Sequence, residues 1–230
     1  MGFCVSIIVD STGTMYRIRD AILNQISIIF NKIENIKKQH DKMDDEFVCQ
    51  VVGYRDFFEI EGINHFDCSG VLADMNQLKT FVSELKMEGG GTHLGCPEYC
   101  EDVQGGLTEA CKIIEQYPQY KHIALLISDQ PNHGIIDGCR FMERNPETNE
   151  TWEDAWNRIT SSLRNNDVDL YCIPIVSSED GRIDDVMITF FQLERYEKTH
   201  IYTEDCKNIF STLFDDIITA DYRKHLGITD

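Results

Sequence analysis

Phe3-Cys4-Val5-Ser6-Ile7-Ile8-Val9-Asp10-Ser11-Thr12-Gly13-Thr14-Met15 is the stretch that decides the reading of this 230-residue chain. Phe3 to Val9 is almost wholly apolar, with β-branched Val5, Ile7, Ile8 and Val9, the mark of a strand buried on both faces of a parallel sheet. An acid, Asp10, comes immediately after it. From Met15 onward Ile18, Ile22, Ile26, Ile29, Ile33 and Ile36 recur at three- and four-residue spacing. The chain therefore passes from strand through a tight loop into a long amphipathic helix, which ends in the basic turn of Lys37 and Lys38.

The same grammar repeats downstream. Phe47 to Gly53 reads as a second strand, Gly62 to Asp67 as a short third, and Met75 to Leu85 as a helix leading to Gly89-Gly90-Gly91. Val103 to Tyr117 is helical. His122 to Ser128 copies the first strand and is again closed by an acid, Asp129. A polar loop spans 131–150, succeeded by a helix over Trp152 to Leu163, a strand over Asp169 to Val176, a helix over Val186 to Tyr196, a short edge strand over Thr199 to Tyr202 and a last helix bearing Ile209, Phe210, Leu213, Phe214, Ile217 and Ile218. This alternation predicts one Rossmann-like α/β domain over 1–230: a doubly wound, mostly parallel six-stranded sheet with helices on both faces. Such sheets bind ligands beyond the strand carboxyl ends, where the winding reverses.

Composition narrows the class of function. No apolar run approaches the roughly 18 to 20 residues that cross a bilayer, and the amino end has no basic region or cleavage site of a signal peptide. Forty acids against 21 bases give a net charge of -19, a field that repels phosphate backbones, so nucleic acid is not an expected partner. Nine cysteines, an odd number scattered through strands and helices, suit free thiols and a cytoplasmic setting.

Two acids set directly after two buried strands outline a site. In Asp10-Ser11-Thr12-Gly13-Thr14 the hydroxyls at alternate positions can converge near a helix start, and Mg²⁺ favours six oxygens, several of them waters. Two hydroxyls, with waters oriented by Asp10 and Asp129, would satisfy most of that shell. A shell built mainly of neutral oxygens leaves the ion enough charge to attract an outside carboxylate. The plainer alternative makes Asp10 and Thr12 a helix-capping pair and Asp129 a turn residue.

Asp10-Ser11-Thr12-Gly13-Thr14-Met15 resembles the metal-ion-dependent adhesion motif, Asp-x-Ser/Thr-x-Ser/Thr, of von Willebrand factor A (vWA) domains. Val51-Val52-Gly53-Tyr54-Arg55-Asp56, Glu101-Asp102-Val103-Gln104-Gly105-Gly106-Leu107 and Ile127-Ser128-Asp129-Gln130-Pro131-Asn132-His133-Gly134 are similar to the subgroup attached to alpha-type protein kinases. The resemblance implies a vWA fold with Mg²⁺ (Mn²⁺ in vitro) held by Asp10, Thr12, Thr14, Thr92 and Asp129, and a protein partner that offers an Asp or Glu carboxylate. The segment between the glycine run and Glu101 is longer than the family pattern, so Glu98 or Asp102 is the alternative to Thr92.

Three rivals remain open on sequence grounds. His93, Cys96 and Cys100, with His133 and Cys139 in the next loop, could hold zinc, although their spacing is not that of a paired knuckle. Asp10-Ser11-Thr12-Gly13-Thr14 also looks like the nucleophile motif of aspartyl-phosphate ATPases and phosphatases, but Asp129 is trailed by Gln130-Pro131-Asn132 and lacks the second acid of their Mg²⁺ cluster. The third is a metal-independent scaffold. Walker, Gly-x-Ser-x-Gly and kinase signatures are absent, and the expected role is binding, not catalysis. Arg55 and Asp56 at a strand end read as a structural ion pair or a turn.

Overall fold

β1 (Phe3–Asp10) is buried along its whole length, as its apolar run requires. The computed structural model describes residues 2–57, 64–87, 100–134, 143–175, 183–207 and 210–228. After a 3-10 turn at Gly13–Met15 the chain enters α1 (Tyr16–Gln39), whose buried stripe of isoleucines is the one read from the spacing. Next in order come β2 (Phe47–Tyr54), β3 (Phe66–Cys68), α2 (Met75–Glu84), α3 (Val103–Ile114), β4 (Lys121–Ser128), α4 (Trp152–Asn165), β5 (Asp169–Pro174), α5 (Ile183–Phe191), β6 (Thr199–Ile201) and α6 (Phe210–His225).

The six strands lie in the order β3-β2-β1-β4-β5-β6, all parallel except β3, which runs antiparallel to β2. The α/β, doubly wound, mostly parallel architecture is thus the one that the alternation of elements predicts. Odd-numbered residues of β1 (Phe3, Val5, Ile7, Val9) join the core shared with α1, α2 and α6. Ile8 faces the second core, built with α3, α4 and α5. That two-faced burial is why the central strands are largely apolar, with buried Gln50 of β2 donating to the Ser6 hydroxyl of β1 (2.6 Å). Winding reverses between β1 and β4, so the carboxyl ends of these two neighbours form the crevice.

Several element bounds differ from the sequence expectation: α3 ends at Ile114, short of Tyr117, and α5 begins at Ile183, ahead of Val186. β3 sits later, at Phe66–Cys68, because it pairs Phe66 with Tyr54 and Cys68 with Val52 across the end of β2. α5 stops at Phe191 instead of running to Tyr196. The Leu193 and Tyr196 amides donate to carbonyls three residues earlier, Phe190 and Leu193, in tight turns, and the buried Tyr196 hydroxyl donates to the Val168 carbonyl, which draws the chain off the helical path.

α3 approaches β2 through Gly106, where an added Cβ would lie 2.5 Å from the Tyr54 ring. Gly106→Ala is therefore expected to destabilise the fold by about 1–3 kcal/mol, the usual cost of overpacking a filled core. Urea denaturation measures this; an unchanged midpoint would contradict the close packing.

Candidate metal centre

Asp10 ends β1 and is fully buried. Parallel pairing of Val9 with Ile127 sets the start of the loop after β4 beside it, and strands about 4.8 Å apart leave little room between the loops at their carboxyl ends. Asp129, 9% exposed, occupies that neighbouring loop. The Ser128 hydroxyl shapes the turn by donating to the Gln130 carbonyl (2.8 Å).

The loop after Asp10 sorts its hydroxyls. Ser11 gives both its amide and its side chain to the Tyr54 carbonyl, at 2.8 and 2.9 Å, and so ties β1 to β2. The Thr12 amide donates to Asp10 Oδ1 (2.9 Å), while the Thr12 side chain makes no capping bond to the turn it precedes. The Thr12 amide thus engages one oxygen of Asp10, and the Thr12 side chain also favours the Asp10 carboxylate. Thr12 Oγ1 stands 3.2 Å from Thr14 Oγ1. Two cis ligands of an octahedral ion with bonds of about 2.1 Å lie about 3 Å apart, so this hydroxyl pair already has the spacing of one coordination edge.

Asp10 Oδ2 is buried with no hydrogen-bond partner among the described residues. Burial pushes the Asp10 carboxyl well above its ordinary value, and repulsion from Asp129 pushes it further. Among the described residues no lysine or arginine pairs with Asp10. A buried carboxylate without a partner is costly, and a like charge beside it adds to that cost; a divalent cation reverses the sign of both effects. On this observation the residues present fit a hard cation. Among the described residues no group of three or more His, Cys, Asp or Glu side chains is arranged to hold a metal, so any such ion would rely on hydroxyls and water for much of its shell.

Tyr54 and Glu101 were not singled out as site residues from sequence. The Tyr54 phenol is fully buried, raised in pKa by burial first and then by the charges of Asp10, Glu101 and Asp129. Its register opposite Asp10 in the β1–β2 pair was the available signal. Glu101 is 2% exposed and bridges in parallel to Asn132. Of the alternatives for the second loop, Thr92 and Glu98 lie outside the described residues, and Asp102 has another task. Its Oδ1 accepts the Gly105 amide (2.9 Å) at the start of α3, and its Oδ2 lies 3.3 Å from His65.

The surrounding pairs also differ from expectation. Arg55 reaches Asp67 (2.9 Å), the Asn64 carbonyl (2.7 Å) and the Lys86 carbonyl, while Asp56 meets His133 at 2.6 Å. The guanidinium is fully buried and folds back along β2 and β3, which frees Asp56 to cross to the loop after β4. His133, also fully buried, stacks on Trp152. Cys100 is disulfide-bonded, whereas Cys4, Cys49, Cys68, Cys111, Cys172 and Cys206 are free. The expectation of thiols throughout thus fails at Cys100, which lies buried in the loop before α3. A sulfur in a disulfide is no thiolate ligand, so Cys100 serves no zinc site; His133 turns Nε2 to Asp56, and His93, Cys96 and Cys139 lie outside the described residues.

Comparison with solved structures places the architecture. Pilus adhesin SpaC from Lactobacillus rhamnosus GG superposes with a TM-score of 0.59 at 11% identity over 94% of this chain, and its open conformation with 0.58 at 12%. The vWF domain of the type V pili tip protein Mfa5 from Porphyromonas gingivalis gives 0.55 at 12%, covering 100% of this chain and 97% of that one. The chain has a vWA-like fold. It spans only 30% of the length of SpaC. No protein-family model and no curated protein matches the sequence. Among the described residues no helix of this vWA-like domain is long and apolar enough to cross a membrane.

Two outcomes are expected. In excess EDTA at pH 8, Asp10→Asn keeps the bond from the Thr12 amide and removes the repulsion. It should raise the melting temperature by at least about 2 °C, roughly 1 kcal/mol for a domain of this size; a lowered value contradicts the repulsion. His65 supplies the pH test. Burial lowers its pKa, but Asp102 and Glu147 more than reverse this, leaving it above the ordinary 6.5. Protonated His65 therefore stabilises the fold fully below about pH 6.5, and the contribution is lost as pH rises through the elevated folded value. His65→Gln should destabilise at pH 5.5 and much less at pH 9, by urea denaturation at both; an equal loss at both would contradict the ion pair.

Proposed function

We propose that this domain is a divalent-cation-dependent protein-binding module that captures an Asp or Glu carboxylate of its partner through Mg²⁺, with Mn²⁺ as a substitute in vitro. The observation that carries this reading is the unpartnered, fully buried Asp10 Oδ2 set beside Asp129 and the Thr12–Thr14 hydroxyl pair. Thr12 and Thr14 would hold the ion directly, Asp10 and Asp129 mainly through water, and Thr92 in the second loop directly or through water. The bound ion supplies positive charge that two hydroxyls do not neutralise. Asp10 and Asp129 orient its waters from beneath, and exposed Thr14 marks the side open to a partner.

The names of the structural neighbours, a pilus adhesin and a pilus tip protein, accord with a binding role. The kinship with domains attached to alpha-type kinases rests on the sequence motifs alone. A binding role also suits Asp10 better than nucleophilic chemistry does. Nucleophilic chemistry of that kind needs a second acid for its Mg²⁺ cluster, whereas Asp129 is followed by Gln130-Pro131-Asn132.

Titration calorimetry with Mg²⁺ tests the reading. The wild type should bind one ion per chain. Thr12→Val should weaken it about tenfold or more, as expected for loss of a ligand or its support, and Asp10→Asn should do likewise. A glycine-rich peptide with a single central aspartate should be retained on the protein in Mg²⁺ and released by EDTA. Retention that ignores EDTA, or Mg²⁺ affinity unchanged in both variants, contradicts the proposal.

A further inference from the structure

α1 starts beside the site with the wrong charge for a helix start. Its first turn holds no acid, although acids are the residues that complement the positive end of a helix dipole. Instead it presents Tyr16, 52% exposed, together with Arg17 and Arg19. Arg19 lies over the Tyr16 ring at 4.6 Å and 3.8 Å from Asp20. Arg17 is exposed, with no acid partner and no hydrogen bond among the described residues. That is unusual in a chain with 40 acids to 21 bases: Arg55, Arg158, Arg164 and Arg195 are each bound to a carboxylate.

An unpaired guanidinium at a helix start is unfavourable to the helix and unused by the fold, yet it lies three residues beyond Thr14. The strand that leads into this helix ends in Asp10, whose buried Oδ2 has no hydrogen-bond partner among the described residues. A net charge of -19 repels an acidic partner at long range, so capture of one carboxylate is helped by cations grouped at the point of contact. Three residues of tight helix advance about 5 Å, and an extended ligand advances about 3.3 Å per residue. A second acid one or two positions from the first therefore comes within reach of Arg17.

We infer that the partner segment is acidic beyond its metal-binding residue, and that Arg17, flanked by Arg19 and Tyr16, binds a second carboxylate of that segment. The inference rests on the metal-dependent reading above and adds the class of ligand to it. Tyr16 offers a flat apolar surface for the segment backbone, and Arg19, held over the ring, adds its charge beside it.

Two immobilised glycine-rich peptides test this, one with a single aspartate and one with an aspartate and then two glutamates, each in Mg²⁺ and in EDTA. The wild type in Mg²⁺ should bind the acidic peptide at least tenfold more tightly than the single-aspartate peptide. Arg17→Gln should reduce that ratio below threefold, should weaken the single-aspartate peptide less than threefold and should leave Mg²⁺ binding unchanged, and Arg17→Lys should keep most of the ratio. A wild-type ratio near one, or a tenfold ratio surviving in Arg17→Gln, overturns the inference. Metal-independent binding of the acidic peptide that Arg17→Gln abolishes would uphold the arginine surface and sink the metal reading. Failure of both peptides to bind sinks both.

Discussion

Two carboxylates held side by side out of water are the constraint around which the upper edge of this molecule is organised. Asp10 and Asp129 are there because β1 and β4 are adjacent, parallel and in register, and because an acid comes directly after the apolar run of each. Neither position is negotiable without changing the sheet. Burial and mutual repulsion both drive Asp10 toward its neutral form, and the Asp10 oxygen without a partner is a cost that folding alone does not recover. The neighbouring loops are built to keep this arrangement in place. Ser11 locks β1 to β2, and Asn132 spans from the Gln104 amide of α3 to the Thr189 hydroxyl of α5. Asp56 and His133 clamp the loops after β2 and β4.

This rigid frame explains why a costly pair can persist in a folded domain. The two cores on either face of the sheet are apolar and closely packed, so the strand ends have no freedom to splay and relieve the repulsion. Relief must come from a proton or a cation. The Thr12 and Thr14 hydroxyls stand 3.2 Å apart, the spacing of two neighbouring ligands of a small hard ion, and a cation is the relief we propose.

Much of this was legible in the sequence because its signals are local. The apolar runs of β1 and β4, the isoleucine period of α1 and the acids that close both runs show within short windows. The features that were not legible depend on contacts across the chain. The late start of β3 is fixed by Tyr54 and Val52 in β2. The early end of α5 is fixed by Tyr196 reaching the Val168 carbonyl. Arg55 and Asp56, neighbours in sequence, take different partners because one side chain runs back under β3 and the other crosses to His133. Glu101 and Tyr54 enter the electrostatics of the site through strand register and a bridge to Asn132, for which no spacing rule exists. Charge behaves similarly: a net excess of acids describes the whole surface and hides the basic start of α1.

The central claim is that the Asp10–Asp129 crevice is a cation site. A crystal grown or soaked with Mn²⁺ and read by anomalous scattering tests it most directly. The account requires one strong anomalous peak within about 2.0–2.3 Å of both threonine hydroxyls, Thr12 and Thr14, with Asp10 and Asp129 around it. A crevice without a peak at saturating Mn²⁺, or a peak elsewhere with Asp10 Oδ2 still unpartnered, would contradict it.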